Sequence, residues 1–177
     1  MTLPLLAFVA WSGTGKTTLL KKLIPLLKQA GIRPGLIKHT HHQMDIDTPG
    51  KDSYELRKAG AEQVMIASEC RWALIQETPE SKMVDLHALA SHMDSTMLDI
   101  VLVEGFKGEP VPKIILWREG VKENVDALID HHTIAVASNC ALDLSVPVLD
   151  LNQPAAIAAF IAAWLGGQRE RAAVSER

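Results

Sequence analysis

Residues near the N-terminus have the types and spacing that phosphate binding requires. Gly15, Lys16 and Thr17 follow an apolar run, and Ala10 stands six residues before the lysine. Glycines permit the positive φ angles that turn successive backbone N–H groups toward one point, and a lysine and a hydroxyl then complete a site for phosphate and Mg²⁺. The pattern is a P-loop, [AG]-x-x-x-x-G-K-[ST], which predicts binding of a nucleoside triphosphate. The residues expected to bind the nucleotide in this loop are Ser12, Gly13, Thr14, Gly15, Lys16, Thr17 and Thr18.

Two carboxylates are candidates for the metal and for the chemistry. Glu104 ends the apolar run "LDIVLVE", and the C-terminal ends of parallel strands open onto the crevice where ligands bind. Asp52 follows a Pro-Gly turn, where it either caps a helix or contacts the magnesium shell, and both alternatives stay open. The candidate Mg²⁺ ligands are Thr17, Asp52 and Glu104, and the candidate catalytic residues are Lys16, Asp52 and Glu104.

A lysine and three histidines lie close together in "KHTHH". This composition is compatible with a transition-metal site, but it favours contact with phosphate or an acidic substrate. Asp45 and Asp47, a few residues later, are weaker rivals of Asp52 for the magnesium shell. The residues assigned to cofactor or partner contact are Lys38, His39, His41 and His42.

The guanine-recognition motif N-K-x-D is absent from the sequence. Ser138 and Asn139 end the late apolar run "TIAVASN", where they either hydrogen-bond a base edge or cap a turn. No glutamine follows Glu104 to position water, and no arginine finger is evident, so hydrolysis is expected to be slow.

Length and composition limit the class of protein. The 177 residues are 47% hydrophobic with a net charge of −3, which predicts one globular domain over 1–165 and a flexible tail over 166–177. We expect no nucleic-acid partner, because no basic field is present, and no membrane partner, because no apolar run reaches about 18 residues. Cys70 and Cys140 have no metal or redox spacing. Together these features predict a cytoplasmic protein with reduced thiols.

Short β-branched runs alternate with helical patterns along the chain. This order predicts an α/β fold with a mainly parallel sheet and helices on both faces, extended by an antiparallel hairpin whose edge favours dimerisation. The predicted strands are 5–10, 35–38, 63–67, 72–77, 99–103, 113–117, 133–137 and 146–149. The predicted helices are 16–30, 52–59, 85–93, 123–128 and 153–165.

The chain resembles the family of molybdopterin-guanine dinucleotide biosynthesis adapter proteins. The resemblance is carried in order by "LLAFVAWSGTGKTTLLKKLIP", "GIRPGLIKHTHH", "DIDTPGKDSYELRKAGA", "DIVLVEGFK" and "IAVAS". It implies a dimeric P-loop protein that binds GTP, hydrolyses it weakly, and assists the molybdenum cofactor guanylyltransferase in adding guanine nucleotide to molybdopterin. The related dethiobiotin synthetase class implies magnesium roles for Asp52 and Glu104.

Two other functions remain alternatives at this point. One is a small-molecule kinase or ATP-dependent ligase that uses the basic "KHTHH" segment as its acceptor site. The other is a metal-delivery GTPase that uses the same histidines as ligands.

Overall fold

The structure, a computed structural model, describes residues 3–40, 46–78 and 83–175. The strands are β1 Leu5–Val9, β2 Pro34–Lys38, β3 Gln63–Ala67, β4 Trp72–Gln76, β5 Ile100–Glu104, β6 Lys113–Trp117, β7 Thr133–Ser138 and β8 Val148–Asp150. The helices are α1 Lys16–Gln29, α2 Asp52–Lys58, α3 Leu86–Ser91 and α4 Pro154–Ser175, with a 3-10 turn at Val125–Leu128.

The main sheet has six strands in the order β2-β5-β1-β6-β7-β8, and every neighbouring pair is parallel. The central strands β1 and β5 are buried along their whole length, which explains their nearly unbroken apolar sequences. Parallel pairing places the C-terminal ends of β1, β2 and β5 at one edge. This edge is where the phosphate-binding loop begins.

Two apolar clusters cover the two faces of the main sheet. On one face, Leu23 of α1 and Ile157 of α4 pack with Leu6 and Phe8 of β1. On the other, Leu86 of α3 packs with Val101 and Val103 of β5. The predicted α/β class, with a parallel sheet and helices on both faces, is confirmed.

The chain divides into two compact units. One contains residues 1–39 and 86–177, with the whole main sheet, and the other contains residues 40–85. Within the second unit, β3 and β4 form a separate antiparallel sheet with Gln63 opposite Gln76. The expected hairpin is therefore present, but as its own sheet; the six-stranded sheet is parallel throughout its described pairs.

Several element bounds differ from those expected. Helix α1 runs through Pro25 and ends at Gln29, one residue before the expected end. Helix α4 runs to Ser175, past the expected end at Leu165, and Arg169 on it bonds Asp99 at 2.8 Å. The helix therefore includes much of the segment that the sequence assigned to a tail. The flexibility of residues 166–177 and the single-domain assignment stay predictions.

Among the residues that the structure describes, no helix is long and apolar enough to cross a membrane.

Candidate functional site

The loop between β1 and α1 turns tightly at its glycines. Gly13 and Gly15 have φ angles of 79° and 98°, a region that residues with a side chain rarely adopt. Gly15 is also the N-cap of α1 and offers no side-chain cap, so the first-turn N–H groups, which have no intrahelical acceptor, are available to an anion. The loop therefore has the backbone conformation that a phosphate group requires.

Lys16 and Thr14 have different roles in this loop. The Thr14 side chain is buried, and its hydroxyl donates to the Trp11 carbonyl at 2.9 Å, so it holds the loop closed. Lys16 donates from Nζ to the Ala10 carbonyl at 3.3 Å, a long bond that a phosphate oxygen can replace. Burial lowers the pKa of Lys16 below its usual value, while the negative charge of Glu104 opposes that change.

Glu104 lies opposite the start of α1, at the C-terminal end of β5. Its Oε1 accepts a 3.4 Å hydrogen bond from Thr17 Oγ1, and its Oε2 lies 3.8 Å from Lys38 Nζ. The Glu104 side chain is only 11% exposed, whereas that of Lys38 is 55% exposed. Both contacts of the carboxylate are long, so it is held in place without being tightly neutralised.

A hydroxyl and a carboxylate beside a phosphate-binding loop are oxygen donors of the kind Mg²⁺ prefers. Thr17 and Glu104 therefore fit a magnesium site, and they are the two described residues of the predicted metal set that the structure brings together. A bound Mg²⁺ would neutralise charge between the β- and γ-phosphates.

The turn after Glu104 depends on glycine. Gly105 has a φ of 105°, and a Cβ on it would lie 2.9 Å from the His39 carbonyl oxygen. His39 donates its N–H to the Glu104 carbonyl at 2.8 Å, and its ring stacks on Phe106 with centroids 5.0 Å apart. Of the histidine cluster, His39 is thus packed next to Glu104, while His41, His42 and Asp45 lie outside the described residues.

Asp52 belongs to the second unit and begins α2. The N-cap of that helix is Lys51, which makes no side-chain cap, so the alternative in which Asp52 caps the helix is wrong. The helix begins one residue earlier than capping by Asp52 requires. The Ser53 Oγ donates to Asp47 Oδ1 at 3.0 Å. Asp52 is exposed in the first helical turn, where a negative charge is favoured. Its magnesium role stays a prediction.

Ser138 and Asn139 line an open pocket of about 360 Å³ at the ends of β7 and β8. Ser138 is buried and its hydroxyl accepts from Cys140 N at 3.1 Å, which is the turn-capping alternative. Asn139 is exposed, and its Oδ1 accepts from Glu119 N at 2.8 Å. This bond orients the amide so that its NH₂ group remains a donor. Asp150 and Asn152 line the same pocket.

Two cations near the loop were missed by reasoning from sequence. Arg118 donates from Nε to the Thr14 carbonyl at 3.0 Å, and Lys107 Nζ lies 4.2 Å from the centre of the Trp11 ring. Arg118 directly follows β6, and Lys107 follows β5 by three residues. Their positions just beyond the C-terminal ends of parallel strands were the available signal.

In the three described ranges, no group of three or more His, Cys, Asp or Glu side chains is placed to hold a metal ion.

Comparison with known proteins connects this chain to one family. The family model described as "Molybdopterin guanine dinucleotide synthesis protein B", or MobB, matches residues 5–139. This chain belongs to the MobB family. It is 60% identical to the molybdopterin-guanine dinucleotide biosynthesis adapter protein of Escherichia coli K12, over 94% of this chain and 95% of that protein. The protein of the same name from Haemophilus influenzae is 48% identical over 92% of this chain and 90% of that protein.

Solved MobB structures have the same fold. A crystal structure of molybdopterin-guanine biosynthesis protein B superposes with a TM-score of 0.74 at 26% identity, over 91% of this chain and 98% of that one. The MobB homologue from Bacillus stearothermophilus gives a TM-score of 0.70 at 24% identity over 92% of this chain and 98% of that one, which shows the fold alone. The predicted P-loop NTPase fold and the predicted family are both confirmed.

Proposed function

We propose that this chain binds GTP with Mg²⁺ and acts as an adapter in the attachment of guanine nucleotide to molybdopterin. The names of its Escherichia coli and Haemophilus influenzae relatives support this role at 60% and 48% identity. The alternatives of a small-molecule kinase or a metal-delivery GTPase have no comparable support.

The contact between Thr17 and Glu104 supports nucleotide binding most directly. It joins the first turn of α1 to the end of β5, 87 residues away in sequence, and lies beside Lys16 in the loop. Lys16 would bind the β- and γ-phosphates, while Thr17 and Glu104 would hold the metal. Because the described site supplies no evident group to orient water, we expect hydrolysis to be slow.

The pocket at the ends of β7 and β8 would receive the base. The Asn139 amide can donate to O6 or N7 of guanine, and the Asp150 carboxylate can accept from its N1–H and N2–H groups. Asp150 Oδ1 already accepts from Asn152 N at 2.8 Å, so Oδ2 would be the principal acceptor.

The partners proposed for this chain are the molybdenum cofactor guanylyltransferase, molybdopterin and a second copy of the chain, in the cytoplasm. Exposed apolar side chains on the hairpin, among them Met65 and Trp72 at 64% and 66% exposure, support a homodimer. Lys38 and His39 would contribute to cofactor or partner contact, together with His41 and His42.

Calorimetric titration with GTP, ATP and GDP, each with Mg²⁺, tests the nucleotide assignment. We expect GTP to bind more tightly than ATP. A coupled assay of guanine dinucleotide formation by the guanylyltransferase, with and without this protein, tests the adapter role. Absence of GTP binding together with an unchanged rate of dinucleotide formation would exclude the proposal.

A further inference from the structure

A lysine outside the P-loop motif lies directly over that loop. Lys107 Nζ is 4.2 Å from the centroid of the Trp11 ring, within the range of a cation–π interaction. Trp11 is the first variable residue after Ala10, so its indole is part of the loop itself. The aromatic face therefore holds a second ammonium group beside the one that the motif supplies.

The two ammonium groups are close enough to affect each other. Burial lowers the pKa of Lys16, and the positive charges of Lys107 and then Lys38 lower it further. Glu104 is the acidic group acting in the opposite direction. Lys38 lies 3.8 Å from the Glu104 carboxylate, and Lys107 lies over the Trp11 ring of the loop that also carries Lys16. A polyanion bound at the loop would relieve the repulsion among these ammonium groups.

The backbone of Lys107 is fixed by a buried lysine. Lys113, at the start of β6, is 1% exposed, and its Nζ donates to the Lys107 carbonyl at 3.2 Å and to Asp130 Oδ2 at 2.7 Å. A buried ammonium is stable only when its N–H groups are paired, so this arrangement resists displacement. It keeps the turn that carries Lys107 at a constant position relative to the sheet.

The position of Lys107 indicates which phosphate it would meet. It lies in the turn that follows Glu104, and Glu104 contacts Thr17 at the metal side of the site. Mg²⁺ held by Thr17 and Glu104 would neutralise charge on the terminal phosphates. Lys107, three residues after Glu104, would meet the same end of a triphosphate.

We infer that Lys107, held on the Trp11 ring, binds the terminal phosphate of the nucleotide and makes the site prefer triphosphate over diphosphate. This inference rests on the proposed nucleotide binding and adds a specificity-determining residue to it. Trp11 is a positioning residue in this arrangement, because it acts through the Lys107 ammonium.

Titration of Mg-GTP and Mg-GDP into Lys107→Met tests the inference. We expect the affinity for GTP to fall about tenfold, the usual effect of losing one charge-assisted hydrogen bond, with little change for GDP. Lys28→Met is the matched control. It removes the same charge from the last turn of α1, about 18 Å from Lys16 at ~1.5 Å of rise per residue, and should leave both affinities unchanged.

Comparing Trp11→Leu with Trp11→Phe shows whether the Trp11 ring positions the Lys107 ammonium or only packs in the loop. Leucine removes the aromatic face and should lower the ratio of GTP to GDP affinity, whereas phenylalanine keeps the face and should preserve the ratio. An equal loss for GTP and GDP in Lys107→Met, or no loss in either, would overturn the inference while nucleotide binding by the wild type stands. If the wild-type protein binds neither nucleotide, the proposed function itself fails.

Discussion

The carboxylates at the two edges of the parallel sheet, where the strands begin and where they end, have different contacts. At the N-terminal edge, Asp99 accepts from Arg33 Nε at 2.9 Å and from Arg169 at 2.8 Å. At the C-terminal edge, Glu104 has contacts of 3.4 Å with Thr17 and 3.8 Å with Lys38. One carboxylate is saturated by short bonds, and the other is held in a buried position with long ones.

This difference separates a structural ion cluster from the proposed binding site. Short, complete hydrogen bonding holds elements together but leaves no capacity for a ligand, whereas long contacts can be exchanged for better ones when a ligand arrives. Substitutions at the C-terminal edge should therefore change ligand binding with little effect on stability. Substitutions at the N-terminal edge should do the reverse.

The largest expected effect comes from Lys16→Ala. Loss of this ammonium should lower GTP affinity by roughly a hundredfold, or ~2.7 kcal/mol, because it removes a charge-assisted phosphate contact. The melting temperature should stay within about 2 °C of wild type, since the side chain makes one long bond to Ala10. Calorimetry and thermal unfolding measure the two quantities. Wild-type affinity in this variant would contradict the assignment.

Glu104→Gln should have the next largest effect on binding. The amide keeps the size of the side chain but removes the negative charge that faces Thr17, so we expect Mg²⁺ to increase GTP affinity about tenfold less than it does in the wild type. Titrations with and without Mg²⁺ measure this. Glu119→Gln, an exposed change after β6, is the control. If Mg²⁺ enhances binding equally in all three proteins, Glu104 is not a metal ligand.

Asp99→Asn should destabilise the fold by about 1–2 kcal/mol, or roughly 3–6 °C, without changing GTP affinity. The Arg33 hydrogen bonds lower the pKa of Asp99 to about 2, below the value of about 3.9 expected in the unfolded chain. The ionised carboxylate therefore stabilises the protein fully above about pH 4, and this contribution is lost as the pH falls toward about 2. Thermal melts of both proteins across that range should converge at low pH. A difference that persists at pH 2 would indicate another cause.

The smallest effect should come from Arg169→Met. The Arg169 side chain is 59% exposed, and exposed ion pairs contribute at most about 1 kcal/mol. We expect a fall in melting temperature of about 2 °C or less, and this fall should be reduced at high salt because ions screen the pair. A fall in melting temperature as large as that of Asp99→Asn would mean that Arg169 contributes more to stability than its exposure indicates.

The sequence predicted the parallel core well because burial on both faces leaves apolar strands such as "LLAFV" and "IVLVE". It also predicted the β3–β4 pair, since the separating segment is too short for a crossover. It did not predict that α4 continues past Gly166 and Gly167, because glycine weakens helix propensity. The Arg169–Asp99 pair holds this part of the helix, and it joins positions 70 residues apart, which no local pattern shows.

The candidate site could be predicted only where its residues are contiguous in sequence or end a recognisable strand. The P-loop is contiguous, and Glu104 ends a recognisable strand, so the sequence indicates both as candidates. Lys107 and Arg118 contact the loop only through folding, and Arg118 meets Thr14 from 104 residues away. Their positions just beyond strand ends indicate the edge of the sheet but not the contact with the loop. Helix capping by Asp52 was wrong because Ser and Asp side chains have several local partners, and here Ser53 bonds Asp47.

The contrast between the two edges can be tested in a single titration of isotope-labelled protein with Mg-GTP, followed by amide NMR. We predict chemical-shift changes concentrated at Gly13, Gly15, Lys16, Thr17 and Glu104. The amides of Arg33, Asp99 and Arg169 at the opposite edge should not move. Shift changes confined to the Asp99 cluster, or no changes at residues 13–17 at saturating nucleotide, would contradict the assignment of the C-terminal edge as the binding site.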